Sequence, residues 1–326
     1  MRRRLSLVLV LFVAACGAAE PTVEQRIDAL LEGGKHFEHN VLPSRARMAE
    51  LYPESPPDRS EWRIEFRLRE NPDAAALLRA GERAVADLVR LVDDPKRRTL
   101  ACLFLAEIGG VPAANALLAV WRKERVRYVH KTGSYPTEGG MNYIAYTYEP
   151  ADGGFSGELI AALCYTGRDV SVEIARDTAI SMDEAERLAA AGEKLDRQEK
   201  RMRPEGEVEL FWDVEPVETA CEGLHILGMA GANDAPALFA RALRSSIRSL
   251  RWAAVQDVLY IGQGKETTLP ALAPLLDGSD LRDAALRAVI RILDHDSERS
   301  STTPAERTEL VARYRKRLQE LGYAPK

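Results

Sequence analysis

An apolar triplet at a three-residue step, followed by glycine, recurs along this chain, and internal repetition of this kind strongly constrains the fold. Residues at this step share one side of a helix, and glycine is a common helix terminator. The pattern therefore predicts a series of helices that end at their glycines. The second copy is weaker, and the last has leucine at the glycine position. The copies are Cys102, Leu105, Ile108, Gly109; Ile160, Leu163, Thr166, Gly167; Cys221, Leu224, Leu227, Gly228; Val255, Val258, Ile261, Gly262; and Leu286, Val289, Ile292, Leu293.

The spacing of the copies predicts a two-helix repeating unit. The final positions lie 58, 61, 34 and 31 residues apart, which indicates a unit of about 30 residues with two enlarged copies. Second helices are predicted at 113–121, 172–180, 236–243 and 269–276. A unit of this size buries its apolar stripe only by stacking on its neighbours, so the predicted fold class is all-α.

One stretch resembles a known repeat family. Residues 80–91, Ala-Gly-Glu-Arg-Ala-Val-Ala-Asp-Leu-Val-Arg-Leu, with Asp93, Asp94 and Pro95, resemble the first helix and turn of a HEAT-like repeat, and Leu-Ala-Glu-Ile-Gly at 105–109 resembles the end of its second helix. The resemblance covers residues 76–123 and 217–295 and implies a HEAT-like α-solenoid of stacked helix pairs. We expect this domain at 76–295, with insertions at 125–157 and 181–216.

The segments on either side of the repeats are expected to be shorter. Residues 23–75 are predicted to form a helical segment and a loop, and residues 296–326 a capping helix. Trp62, Ile64, Phe66 and Leu68 alternate with charged residues, which favours a strand, although the flanking residues also permit a helix. In the capping helix, Thr303, Pro304 and Glu306 have the form of a capping box. Its apolar stripe is Leu310, Val311, Tyr314, Leu318 and Leu321, and its basic residues, expected to face solvent, are Arg313, Arg315, Lys316 and Arg317.

The first fifteen residues have the composition of an export signal. Three arginines at positions 2–4 precede an apolar run at 5–15, which is too short to span a bilayer. The ending Val13-Ala14-Ala15-Cys16 resembles the lipobox of bacterial lipoproteins. This resemblance implies cleavage before Cys16, acylation of Cys16 and a lipidated tether at 16–22. It also implies a location in the bacterial cell envelope. Because Gly17, and not an acidic residue, follows the cysteine, the resemblance permits transport to the outer membrane, facing the periplasm, and leaves the choice between inner and outer membrane open.

The charge of the mature chain argues against nucleic acid as a partner. Removing residues 1–15 takes away three arginines and no acids, which leaves 42 basic and 50 acidic groups and a formal charge of −8. Nucleic-acid binding normally requires a basic face. The remaining cysteines, Cys102, Cys164 and Cys221, lie in apolar helical stretches without the spacing of a redox or metal motif. We expect them to be buried and unpaired.

The first insertion is rich in tyrosine and glycine. Residues 126–130 and 141–148 alternate well enough to form two strands of a small β-hairpin-like insertion. Insertions in repeat proteins often mark the binding face, and tyrosine is frequent at interfaces. The alternative is that these rings only pack on the adjacent repeat. The candidate partner-binding residues are Tyr128, Tyr135, Tyr143, Tyr146, Tyr148 and Phe155, together with Trp212 from the second insertion.

The second insertion combines a charged helix with a strand. Residues 183–203 alternate acidic and basic side chains in a way typical of a solvated helix. Residues 207–214 are strand-like, and Trp212 either extends a binding surface or is packed.

Catalytic and metal motifs are incomplete in this sequence. Residues 154–158 have glutamate where a nucleophile elbow requires its second glycine, and Gly264-Lys265 is followed by Glu266 instead of serine or threonine. His36 and His39 have no third ligand nearby. His225 is expected to be a core histidine, and no cofactor other than the covalent lipid is expected.

These observations favour a lipid-anchored protein that binds another envelope protein as a scaffold or assembly factor. The alternative is an envelope enzyme or a binder of small ligands, such as glycan or peptidoglycan fragments, with the tyrosine-rich insertion as a lid. Convergent acids or histidines in a deep pocket would favour the alternative, and a shallow open groove would favour the scaffold.

Overall fold

The computed structural model describes most of the chain from residue 20 onwards, and this part is predominantly helical. It covers residues 20–32, 71–94, 96–124, 128–136, 142–150, 156–192, 198–202, 208–212, 216–233, 235–261, 264–277, 280–294 and 303–324. The helices are α1 (Val23–Glu32), α2 (Pro72–Ala80), α3 (Glu82–Val92), α4 (Arg98–Ile108), α5 (Gly110–Glu124), α6 (Ser156–Thr166), α7 (Ser171–Ala190), α8 (Pro216–Met229), α9 (Pro236–Arg244), α10 (Arg248–Asp257), α11 (Leu269–Leu272), α12 (Arg282–Asp294) and α13 (Pro304–Glu320). Cys16, His36, His39 and the alternating segment at 62–68 lie outside the described residues.

The helices pack in two rows. The apolar triplets lie in or begin in α4, α6, α8, α10 and α12. Each of these five helices contacts the next of the five. We call them the even row. The odd row consists of α5, α7, α9, α11 and α13, whose successive members contact one another directly or through the 3₁₀ turns Gly167–Val170 and Ala273–Leu276. The described chain therefore has a helical repeat-like architecture in which pairs of helices follow one another.

A continuous apolar core runs between the two rows. Buried side chains extend without a break in contact from Ile27 in α1 to Leu318 in α13. The triplet residues Leu105, Leu163 and Leu224 are completely buried, as expected for the inward side of amphipathic helices. The repeat in the sequence is thus a repeat of core positions.

The structure confirms some of the predicted helix ends and corrects others. Gly109 ends α4 with a φ of 65° and donates its N–H to Leu105 O at 3.0 Å, because glycine adopts this conformation without a steric penalty. Gly81, at a φ of 54°, divides the predicted helix at 80–91 into α2 and α3. The helix α6 ends at Thr166, directly before Gly167 as predicted, although Gly167 begins a 3₁₀ turn. Gly228 lies inside α8, which ends at Met229, so the prediction that Gly228 ends a helix is wrong.

The predicted charged helix at 183–203 is also shorter than expected. The helix α7 ends at Ala190, and residues 198–202 form a strand. A charged, solvent-facing sequence is compatible with either a helix or a strand. Residues 198–202 form a strand because they pair with residues 208–212.

The two insertions contribute to one antiparallel sheet. Its strands are β1 (Tyr128–Pro136), β2 (Asn142–Pro150), β3 (Gln198–Met202) and β4 (Val208–Trp212), in the order β2-β1-β4-β3. The first insertion supplies β1 and β2, the second supplies β3 and β4, and β1 joins them by pairing with β4. The two insertions, expected as separate segments at 125–157 and 181–216, therefore share one sheet.

The C-terminal helix contains the predicted capping box. Thr303 Oγ1 accepts from the Glu306 N–H at 3.3 Å, and Glu306 Oε2 accepts from the Thr303 N–H at 2.7 Å. Val311, Tyr314 and Leu318 are buried, whereas half of Leu321 is exposed.

The basic residues of this helix are expected to face solvent, but two of them also contact the preceding helices. Arg315 donates to Leu276 O at 3.1 Å and pairs with Asp277, and Arg317 pairs with Asp294. These contacts attach α13 to the preceding helix pair.

The helix α8 lies unusually close to both α7 and α10, because glycines face each of them. A Cβ atom at Gly223 would overlap the Thr178 hydroxyl of α7. A Cβ atom at Gly228 would lie 2.8 Å from the backbone oxygen of Asp257 in α10 and 2.9 Å from its Cβ. These are positions where only glycine fits without movement of a neighbouring helix.

We expect Gly228→Ala to lower the free energy of unfolding by about 1–3 kcal/mol, because the added methyl group forces α10 away from α8. This loss outweighs the gain in helix propensity of about 1 kcal/mol. Urea unfolding followed by circular dichroism measures the change. Arg176→Ala, on the exposed face of α7, is the control and should change stability by less than about 0.5 kcal/mol. Equal stability of Gly228→Ala and wild type would contradict the close packing.

Candidate functional site

A cleft of about 540 Å³ lies along the even row, where α6, α8 and α10 meet. It is open to solvent on one side and takes polar, aromatic and aliphatic side chains from these helices. The lining residues are Ile160 from α6; Cys221, Glu222, His225 and Met229 from α8; Trp252, Ala253, Gln256 and Asp257 from α10; and Tyr260 from the 3₁₀ turn Val258–Tyr260.

Helical spacing brings these residues to one wall of each helix. On α8 they lie at positions i, i+1, i+4 and i+8, and on α10 and its following turn the same spacing recurs from Trp252 to Tyr260. Residues at these offsets share one side of a helix. The cleft is therefore formed by corresponding sides of two neighbouring helices that the close approach at Gly228 holds together.

A histidine–carboxylate pair forms the floor of the cleft. His225 Nδ1 lies 2.9 Å from Asp257 Oδ1. The Asp257 side chain is only 9% exposed, whereas 38% of the His225 side chain is exposed. The expectation that His225 is a core histidine is therefore wrong: its ring has a buried partner on one side and faces the cleft on the other.

The pair keeps His225 charged. Hydrogen bonds to Asp257 and to Cys164 raise the pKa of His225 to about 10, against the opposing effect of burial. The ring is therefore a cation at neutral pH, and it compensates the buried Asp257 carboxylate.

Cys164, His225 and Asp257 are the residue types of a nucleophilic triad, but the thiol is unsuited to that role. Cys164 has no exposed surface, and burial raises the pKa of its thiol above the usual value. A neutral, inaccessible thiol is a poor nucleophile. The arrangement is suited to charge compensation inside a binding site.

The other thiols agree with the expectation of unpaired cysteines, with one difference in burial. None of the three forms a disulfide within the described residues; Cys102 and Cys164 are buried, whereas Cys221 is only partly buried at the cleft wall. Burial, followed by the charges of Glu218, Asp257 and Glu222, raises the pKa of Cys221 to about 12. Its thiol is therefore protonated at neutral pH.

Two aromatic residues border the open side of the cleft. Trp252 is 45% exposed, although the burial of so large a side chain is favourable. The Tyr260 ring carries the Arg291 guanidinium 5.9 Å from its centroid, within the range of a cation–π contact. At the opposite wall, Trp121 Nε1 donates to Glu222 Oε2 at 3.0 Å and so links α5 to α8.

The residues predicted to bind a partner lie in the sheet, apart from this cleft. Tyr128 is paired with Trp212 across β1 and β4. Within β1 and β2, Tyr135 is opposite Tyr143, and Thr132 and His130 are opposite Tyr146 and Tyr148. The structure thus brings these strands into one unit. Phe155 and the predicted lipidation site Cys16 lie outside the described residues.

Sequence reasoning did not identify the cleft. Trp252, Gln256 and Tyr260 share one helical side, and this signal was available from their spacing. His225 and Asp257 are 32 residues apart, which is close to the repeat length of about 30 residues. Polar residues separated by one repeat lie at neighbouring positions of adjacent helices, and this second signal was also available.

Comparisons with family models, curated proteins and solved structures found no match. Within the described ranges, no helix has both the length and the apolar character needed to cross a membrane. The described residues also contain no group of three or more histidine, cysteine, aspartate or glutamate side chains arranged to hold a metal ion.

We expect the His225 ring to stay protonated through pH 8, where an ordinary histidine with a pKa near 6.5 is neutral. Titration of the imidazole C–H signals by NMR measures this, with His225→Gln for assignment. Asp257→Asn should lower the pKa of His225 towards 6.5, whereas Gln256→Ala should leave it raised. Titration of His225 near pH 6.5 in the wild type would contradict the pairing.

The same shift gives stability a pH dependence of known sign. Because folding raises the pKa of His225, the pair stabilises the folded state fully below about pH 6.5, and this stabilisation is lost as the pH rises through about 10. Urea unfolding at pH 6 and pH 10 should therefore show a larger loss for the wild type than for His225→Gln.

Proposed function

We propose that this chain is a lipid-anchored, HEAT-like α-solenoid of the bacterial cell envelope that binds another protein as a scaffold or assembly factor. The cleft of the even row is its principal binding surface. The observation that carries the proposal is the exposed Trp252 beside a fixed group of charged residues on a row of stacked helices.

The form of the cleft supports binding of a polypeptide. It is open along one side and runs across successive helices, as do the extended surfaces that repeat proteins use for recognition. Tryptophan and tyrosine at such a surface are the residue types that dominate protein interfaces. An exposed tryptophan loses unfavourable contact with water when a partner covers it.

We infer that the sheet, whose residues lie apart from the cleft, also contributes to partner binding. Its strands lie in the chain between α5 and α6 and between α7 and α8, so it is connected to the starts of two helices that line the cleft. The tyrosines at 128, 135, 143, 146 and 148 then supply a second contact area for the partner.

The membrane anchor in this proposal is the lipid on Cys16. The tether at 16–22 leads directly to α1, which begins at Val23. Two or more acyl chains anchor a protein stably to a bilayer, so the binding surface would stay within a few tens of ångströms of the membrane.

Cys16→Ala should move the protein from the membrane fraction to the soluble fraction, because the acylated residue is missing. Fractionation of cells fed an alkyne fatty acid, with detection of the label on the protein, measures both location and lipidation. Cys221→Ala is the matched control and should keep the label and the membrane location. Equal labelling of Cys16→Ala and wild type would contradict the anchor.

The partner-binding role predicts site-specific crosslinking in intact envelopes. A photoreactive amino acid at Gln256, in the cleft, should capture a defined partner, whereas the same group at Arg176 on exposed α7 should not. Trp252→Ala should reduce the capture about tenfold or more, as expected for a central aromatic contact. Ile180→Ala, which removes another exposed apolar side chain, is the control and should leave capture unchanged.

The result also tests the sheet. Capture lost in Tyr143→Ser, Tyr146→Ser and Tyr148→Ser combined, but kept in Trp252→Ala, would move the principal site from the cleft to the sheet. Absence of any partner at both places would overturn the scaffold function.

One observation favours the second candidate function, binding of a small ligand such as a glycan fragment. The cleft volume of about 540 Å³ falls in the range of about 300–1,000 Å³ that small-molecule sites occupy, and Glu222, His225 and Asp257 converge there. Muropeptide binding to the purified protein that Trp252→Ala abolishes, without any crosslinked protein at Gln256, would favour this candidate.

A further inference from the structure

Acidic and aromatic side chains occur together at the cleft. Glu222 and Asp257 line the cleft from α8 and α10, and Glu218 lies one turn before Glu222 on α8, outside the lining. The His225 cation pairs with Asp257 at 2.9 Å, and the Arg291 guanidinium lies over Tyr260. Three carboxylates and two cations leave these groups with a formal charge of −1. The exposed Trp252 and the ring of Tyr260 border the cleft.

The thiol at the cleft wall responds to this negative charge. After burial, the causes that raise the pKa of Cys221 to about 12 are the carboxylates of Glu218, Asp257 and Glu222. Carboxylates that raise the pKa of a thiol produce a negative electrostatic potential around it. The same potential attracts cations.

The protein already uses the corresponding contact within its own fold. The Arg291 guanidinium lies 5.9 Å from the centroid of Tyr260, and the Arg313 guanidinium lies 5.3 Å from that of Tyr314. A cation over an aromatic face therefore already occurs at the border of the cleft, at Tyr260, and the indole of Trp252 is a better ring for such a contact than a phenol.

We propose that the cleft recognises a segment of the partner protein in which a lysine or arginine lies next to an apolar side chain. The cation lies over Trp252 within reach of the carboxylates of Glu218 and Glu222. The apolar side chain packs against Ile160 and Met229. This inference rests on the proposed protein-binding function and names the chemistry of the bound segment.

The floor of the cleft is fixed before a ligand arrives. Asp257 is held against Gly228 and bonded to His225, and Glu222 accepts a hydrogen bond from Trp121. A site whose charged groups are positioned in advance loses little conformational entropy on binding.

The test is selection from a displayed library of random twelve-residue peptides on the full-length lipidated protein in detergent micelles. The selected pool should be enriched several-fold in lysine or arginine adjacent to leucine, isoleucine, methionine or an aromatic residue. Binding of a selected peptide should weaken about tenfold in Trp252→Ala and in the double variant Glu218→Gln, Glu222→Gln. It should also weaken as sodium chloride rises from 50 to 500 mM, because salt screens exposed charges.

The matched controls are Ile180→Ala and Glu173→Gln, which change an exposed apolar and an exposed acidic residue of α7. Neither should affect peptide binding. A pool that is acidic or neutral, a selection that enriches no sequence, or unchanged binding in the Trp252 and glutamate variants would overturn the inference.

The two proposals fail in different ways. A partner captured at Gln256 through a segment without basic residues, as identified by mass spectrometry, removes the basic-segment inference and leaves the scaffold function. Selective basic-peptide binding without any captured partner in intact envelopes leaves the cleft chemistry and removes the scaffold function.

Discussion

The close approach of α8 to its neighbours is the constraint on which the rest of the structure depends. Gly223 lets α7 lie against one side of α8, and Gly228 lets the backbone of α10 lie against another. This second contact places Asp257 where His225 reaches it. A densely packed core transmits any displacement to the residues around it. The packing of α7, α8 and α10 and the geometry of the cleft therefore both depend on the two glycines, Gly223 and Gly228.

Charged pairs between units complement this packing at the surface. Arg122 of α5 bonds Asp177 of α7 at 2.7 Å, and Arg241 of α9 bonds Asp183 and Glu186 of α7, each at 2.6 Å. Such exposed pairs contribute little stability individually, roughly 0–1 kcal/mol. They join successive odd-row helices, and their geometry favours one register of the units over another.

The features that the sequence predicted are local ones. Apolar residues at helical spacing identified the even row, and the capping box at Thr303 and the terminator at Gly109 were read correctly, because each depends on a few adjacent residues. The pairing of β1 with β4 joins residues on either side of α6 and α7 and has no local signature. The cleft was missed for the same reason: His225 and Asp257 meet only when helices one repeat apart are stacked. The end of α7 was misjudged because its charge pattern continues into β3.

The sheet joins two connections that follow different repeat units. The strands β1 and β2 belong to the α5–α6 connection, and β3 and β4 belong to the α7–α8 connection. The hydrogen bonds between β1 and β4 therefore link the connections of two successive helix pairs. Rotation of one helix pair against the next would break the hydrogen bonds between β1 and β4, so this ladder opposes the rotation locally. The molecule is therefore expected to be mechanically uneven, stiff around α6 and α8 and more compliant towards its C-terminal pairs.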